Sequence, residues 1–204
     1  MRAQGTQASE LVSDVADPEA VDALVANTLD HFGRVDFVVN NAGAARGSDR
    51  VPVTELAVAD WHKVINVNLN GTFLMSRAFG RVLVDQGQGA IINISSIAGK
   101  ALPPNTAAYA ASKAGIQALT ASMAQEVGKF GVRVNAICPG VIDTYRMDDI
   151  GRGEAWQAML KRIPLGRPGR GEDVAAMVAF MCSDEGSWIT GQSYNVDGGH
   201  VVAH

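Results

Sequence analysis

Short apolar runs at Val35 to Val39, Ala90 to Ile94 and Val132 to Cys138 do not alternate with polar residues, as strands of a sheet with one wet face would. Runs of this kind belong to strands covered on both faces. Between them lie stretches with helical spacing, and that alternation leaves one arrangement, a doubly wound α/β fold with helices on both sides of a parallel sheet. Asp17-Pro18-Glu19 reads as an N-cap followed by proline at the first helical position, with Gly33 as the stop. A longer helix starts near Asp60, with Trp61, Val64, Ile65, Leu69, Met75, Phe79 and Val82 along its apolar stripe. An alanine-rich helix covers Thr106 to Phe130, and another runs from about Glu172 to Cys182. Gln192 to Val196 is the last strand and Ala8 to Ser13 a first, weaker one. A chain of 204 residues holds one such domain, 1–204.

Composition narrows the function classes. Apolar residues make up 47% and charged residues 19%, the balance of an ordinary core-former. The net charge is −4 with no long run of lysine and arginine, which speaks against nucleic acid or an anionic membrane as partner. No apolar stretch has the length of a membrane span, and the first ten residues resemble no signal peptide. Cys138 and Cys182 have neither pair spacing nor a histidine at metal spacing, so they read as buried thiols of a cytoplasmic protein without a metal site.

In doubly wound sheets, ligands bind beyond the carboxyl ends of the strands. Every strand here ends in small or polar residues: Asp14, Asn40 to Gly43, Ser95-Ser96, Pro139-Gly140 and Asp197-Gly198-Gly199. Tyr109 and Lys113 lie four apart near the start of the alanine-rich helix and so share a face. An ammonium one turn away favours the phenolate, which suits a tyrosine to acid/base work. Ser96, at the end of the preceding strand, offers a hydroxyl to hold a carbonyl oxygen beside it. Asn68 falls on the buried stripe of its helix, where an amide needs partners. Gly71, just beyond, predicts a kink or a close approach.

These motifs, in this order, resemble the set that marks the short-chain dehydrogenase/reductase family: Asn40-Asn41-Ala42-Gly43, Asn68, Ser96, Tyr109-x-x-x-Lys113 and Pro139-Gly140-x-x-x-Thr144. The likeness runs from about Ala3 to Gly199. It implies a Rossmann-like oxidoreductase that interconverts a small alcohol and its carbonyl compound with NAD or NADP, and that associates as a tetramer or dimer. Tyr109 would be the acid/base, with Lys113 promoting its ionisation and binding the nicotinamide ribose. Ser96 would orient the substrate oxygen, and Asn68 would hold a water of a proton relay. Asp14 and Val15 would meet the adenine, Asn41, Ala42 and Gly43 the floor of the cofactor, and Pro139, Gly140, Ile142 and Thr144 the nicotinamide side. The segment about 145–164 would form a substrate lid, with Tyr145, Arg146, Met147 and Trp156 as contacts.

The family's opening strand, Thr-Gly-x-x-x-Gly-x-Gly turn and helix have no counterpart before Asp14. Gly166-x-x-Gly169-x-Gly171 follows Pro164 and reads as a loop. The expectation is therefore a member that lacks its first βαβ unit, with Ala8 to Ser13 as the family's third strand. Two readings follow, an oxidoreductase whose start is missing and a truncated, non-catalytic form that docks onto full-length copies. The residue that would select NAD over NADP belongs to the absent region.

Overall fold

The computed structural model describes residues 6–144 and 151–202. Its sheet has four parallel strands, β1 (Phe37–Asn40), β2 (Gly89–Ile94), β3 (Val132–Pro139) and β4 (Ser193–Val196), side by side in chain order. Helix α1 (Pro18–Phe32) precedes the sheet. Helices α2 (Val58–Ile65) and α3 (Gly71–Gln86) cross from β1 to β2, and α4 (Ala98–Ala101) and α5 (Ala107–Val127) from β2 to β3. Helices α6 (Glu154–Leu160) and α7 (Gly171–Cys182) lead to β4. Parallel strands need such crossovers, so the order follows from the alternation seen in the sequence.

Helix α1 starts where its caps dictate. The Asp17 carboxylate accepts from the amides of Glu19 and Ala20, and Gly33 ends the helix in the left-handed region at φ 75°. Its Val21 is buried, and Leu24, Val25 and Leu29 pack beside Val38, Leu83, Ile91 and Val134 on one face of the sheet. The other face carries Ile92 and Ile137 beneath Met181 of α7. Cover is thus two-sided over β2 and β3. Over β1 it is not: Phe37 and Val39, in register with Ala90 and Ile92, are 51% and 44% exposed.

The strand expected at Ala8 to Ser13 is not formed. These residues belong to no strand, and Val12 is fully exposed. A strand needs a ladder partner. Here the turn closed by the Asp17 amide on the Asp14 carbonyl carries the chain directly into α1, and Val15 is drawn onto Gly71 instead. The kink expected near Gly71 takes the form of a π-turn, Asn66–Asn70, inserted between α2 and α3. The Gly71 amide reaches back to the Asn66 carbonyl, and a β-carbon at Gly71 would stand 2.8 Å from Val15 Cγ2. Only glycine admits that contact.

Candidate active site

The carboxyl ends of the strands gather nearly all the residues singled out from the sequence. Asn68 is 1% exposed within the π-turn, and both ends of its amide have partners. Its Oδ1 accepts from the Ala44 amide at 2.8 Å, and its Nδ2 donates to Ser112 Oγ at 3.0 Å. Ser112 Oγ in turn donates to the Tyr109 carbonyl at 2.7 Å. One side chain therefore ties the segment after Asn41 to Gly43 to the first turn of α5. The Asn68 carbonyl also accepts from the Thr72 hydroxyl at 2.7 Å.

Lys113 is 6% exposed, and a buried ammonium requires acceptors. Its Nζ donates to the Ile94 carbonyl at 2.8 Å and stands 5.8 Å from the centre of the Tyr109 ring. Its own carbonyl accepts from Ser95 Oγ at 2.8 Å, so β2 and α5 are clasped at both ends of this residue. Ser96 Oγ accepts from the Ala98 amide at 3.1 Å, which starts α4 and leaves the hydroxyl proton free to donate. Helix α4 fits against α5 because residue 99 is glycine. A β-carbon there would lie 2.7 Å from the Ala114 amide nitrogen.

Pro139 and Gly140 complete the same edge. The Pro139 carbonyl accepts from the Ile97 amide at 3.1 Å, and the Gly140 amide donates to Val196 at 3.0 Å. Ile142 bridges to Gly169, and Thr144 is exposed at the end of the described stretch. Asp14 caps its own turn through the Ala16 amide at 2.9 Å. Val15 reaches a cleft of about 50 Å³ shared with Asn40, Asn41, Ala42 and Gly71. Of the expected lid, Tyr145, Arg146 and Met147 lie outside the described residues. Trp156 is 4% exposed, with the Arg152 guanidinium 4.3 Å from the centre of its ring. Residues 166–170 are a loop, as the sequence suggests.

A larger cavity of about 540 Å³ lies behind Gly140, lined by Pro164, Leu165, Arg167, Asp197 and Gly198. None of Ser96, Tyr109 or Lys113 borders it. Burial pushes the Cys138 thiol up, so this neighbour of Ser95 stays protonated and supplies no nucleophile.

The donor set suits the ribose and nicotinamide end of a dinucleotide: a buried ammonium, two hydroxyls and a small-residue floor at Asn41 to Gly43. The phosphate end has no seat on α1, whose first amides are taken by Asp17 and whose first turn carries Glu19.

Sequence reasoning missed Asp49 and Arg50. Asp49 is 4% exposed, and the Arg50 guanidinium lies over the Tyr109 ring, 4.3 Å from its centre. The loop that holds them has no periodicity, and an adjacent Asp-Arg pair is the ordinary content of a solvated loop.

Comparison with known proteins finds relatives over nearly the whole chain. A family profile described as enoyl-(acyl carrier protein) reductase matches residues 1–201. A 3-oxoacyl-[acyl-carrier-protein] reductase of Synechocystis is 39% identical over 201 residues, which cover 98% of this chain and 78% of that protein. Glucose 1-dehydrogenase 2 of Bacillus subtilis is 38% identical over 203 residues, 99% of this chain and 78% of that one. The crystal structure of gox2181 matches with a TM-score of 0.91 at 36% identity, covering 98% of this chain and 78% of its own. With its helix-covered parallel sheet and its ordered motifs, the chain belongs to the short-chain dehydrogenase/reductase family of nicotinamide-dependent oxidoreductases.

Proposed function

We propose that the chain interconverts a small-molecule alcohol and its ketone or aldehyde with Tyr109 as the acid/base. The observation that carries this reading is the buried Lys113 ammonium, anchored on the Ile94 carbonyl and set beside the Tyr109 ring. NAD or NADP, when bound, supplies or takes the hydride. The protein's part is the proton. In the reductive direction the Tyr109 hydroxyl donates it to the substrate oxygen; in oxidation the phenolate removes it, and the neighbouring ammonium stabilises that charge. Ser96, its lone pair fixed by the Ala98 amide, donates to the same substrate oxygen and holds it in place. Lys113 would also bind the ribose hydroxyls. Asn41, Ala42 and Gly43 with Pro139, Gly140, Ile142 and Thr144 would line the nicotinamide, and Asp14 and Val15 would meet the adenine.

Asn68 serves as a positioning residue, because its amide joins Ala44 to the Ser112–Tyr109 turn. The exposed Phe73, on α3 one turn past Asn68, fits association of copies through the Asn68-bearing helix and α5.

The test is Tyr109→Phe, assayed by steady-state kinetics with both cofactors on a panel of alcohols and carbonyl compounds. Loss of the phenol oxygen removes the proton donor, and turnover falls by about a hundredfold or more while cofactor binding persists. A variant that keeps more than about a tenth of the activity overturns the assignment.

A further inference from the structure

We infer that Arg50 is a substrate-reading residue: its guanidinium, laid over the ring of Tyr109, seats an anionic oxygen group of the substrate, a carboxylate or a phosphate. The inference rests on Tyr109 as the acid/base and adds the chemical class of what it acts on.

The pair that holds Arg50 does not saturate it. Asp49, almost wholly buried, presents Oδ2 to Arg50 Nε at 3.5 Å, a charge contact too long for a good hydrogen bond. The other Asp49 oxygen accepts from the Gly47 amide at 3.2 Å. Arg50 Nε is buried without a hydrogen-bond partner, while the side chain as a whole remains 23% exposed. Among the described residues, no hydrogen bond accepts any of the guanidinium's N–H groups.

An ion pair with its carboxylate buried, kept only to fasten a loop, would repay the desolvation by completing its hydrogen bonds. This one leaves a planar fork of donors open, the group best matched to carboxylate and phosphate. Asp49 steadies the Nε edge, and the stack on Tyr109 fixes the height of the fork. The phenol oxygen sits on the rim of that same ring. A substrate whose carbonyl or hydroxyl oxygen is bonded to Tyr109 therefore brings its neighbouring carbons beside Arg50. An acid group on a short carbon spacer meets the fork, and a neutral substituent leaves it to water.

The experiment compares acetoacetate and laevulinate with their methyl esters, which keep the ketone and lose the charge. Binding to the whole chain is followed by calorimetry and turnover by cofactor absorbance. The acids bind about tenfold or more tightly than the esters; Arg50→Gln removes the preference, and Arg50→Lys, charged but without the fork, retains part of it. Inorganic phosphate that displaces the acids from the unaltered chain but not from Arg50→Gln marks a phosphate seat; failure to displace them marks a carboxylate seat. Equal binding of acid and ester by the unaltered chain overturns the inference. So does a preference that survives in Arg50→Gln, and if the melting temperature of that variant also drops, the pair is a loop fastener. Acid preference without any turnover overturns the oxidoreductase reading and keeps the seat; turnover without acid preference does the reverse.

Discussion

Strands β1 and β3 are both mostly apolar, yet they live in different surroundings. Six of the eight β3 residues are buried, because α3 and α5 cover one face and α7 the other. In β1, Val38 and Asn40 are buried while Phe37 and Val39 face outward, and among the described residues the strand has a neighbour on one side only. Even its buried amide is incompletely served: Asn40 Nδ2 donates to Asn93 and Ser76, but among the described residues Asn40 Oδ1 has no partner. Burial is thus conferred by the cover over a strand and cannot be read from the strand's own residues. The candidate chemistry sits on the well-covered side, where β2 and α5 are clasped through Ser95, Lys113 and Gln117.

The contrast can be broken by mutation. Leu83→Ala, at a position with no exposed surface in the core between α3 and the sheet, lowers stability by ~2–5 kcal/mol in urea titrations. Val39→Ala, half-exposed on β1, costs less than about 1 kcal/mol in the same measurement. Equal losses would mean that β1 is covered after all.

Asn93 tests the polar centre, since its amide accepts from Asn40 and donates to Thr120 Oγ1 at 2.9 Å. Asn93→Ala removes one bond from each partner and costs ~1–3 kcal/mol by the same titration. Native-state hydrogen exchange sharpens the comparison without mutation. Amides of β1 exchange at least about tenfold faster than those of β2 and β3, and equal protection would contradict the picture of a loose edge.

The smallest effect lies at the start of α7. The Arg167 guanidinium, bonded to Asp173, holds that carboxyl well below the usual carboxylate range, helped by the Arg170 amide. A depressed folded value contributes stability above the ordinary carboxylate range and loses it as pH falls through the folded value. Both side chains are exposed, so the contribution is slight. Asp173→Asn lowers the melting temperature by a degree or so near neutral pH, and the gap closes in strong acid. A gap that widens in acid would contradict the assignment.

What could be read from the sequence divides along the same line. The Asp17-Pro18 start and Gly33 stop of α1 were legible because caps are local chemistry. The Tyr109 to Lys113 turn was legible because helical spacing fixes a face, and Asn68 because an amide on an apolar stripe announces a buried partner. The Ala8 to Ser13 strand failed because pairing depends on a partner elsewhere in the fold. The open face of β1 escaped for the same reason, and so did Arg50, brought to Tyr109 by a loop whose path no periodicity encodes.

The π-turn at Asn66–Asn70 also acts as a phase shifter. An α-helix turns about 100° per residue, so the one residue it holds in excess rotates everything in α3 by that amount relative to α2. Deleting a residue anywhere between Asn66 and Asn70 would leave a smoother helix and a misdirected one. Ser76, Phe79 and Leu83 would swing off the sheet while the buried Val64 of α2 kept its place. The segment that holds Asn68 is therefore far less tolerant of a change in length than of a change in composition.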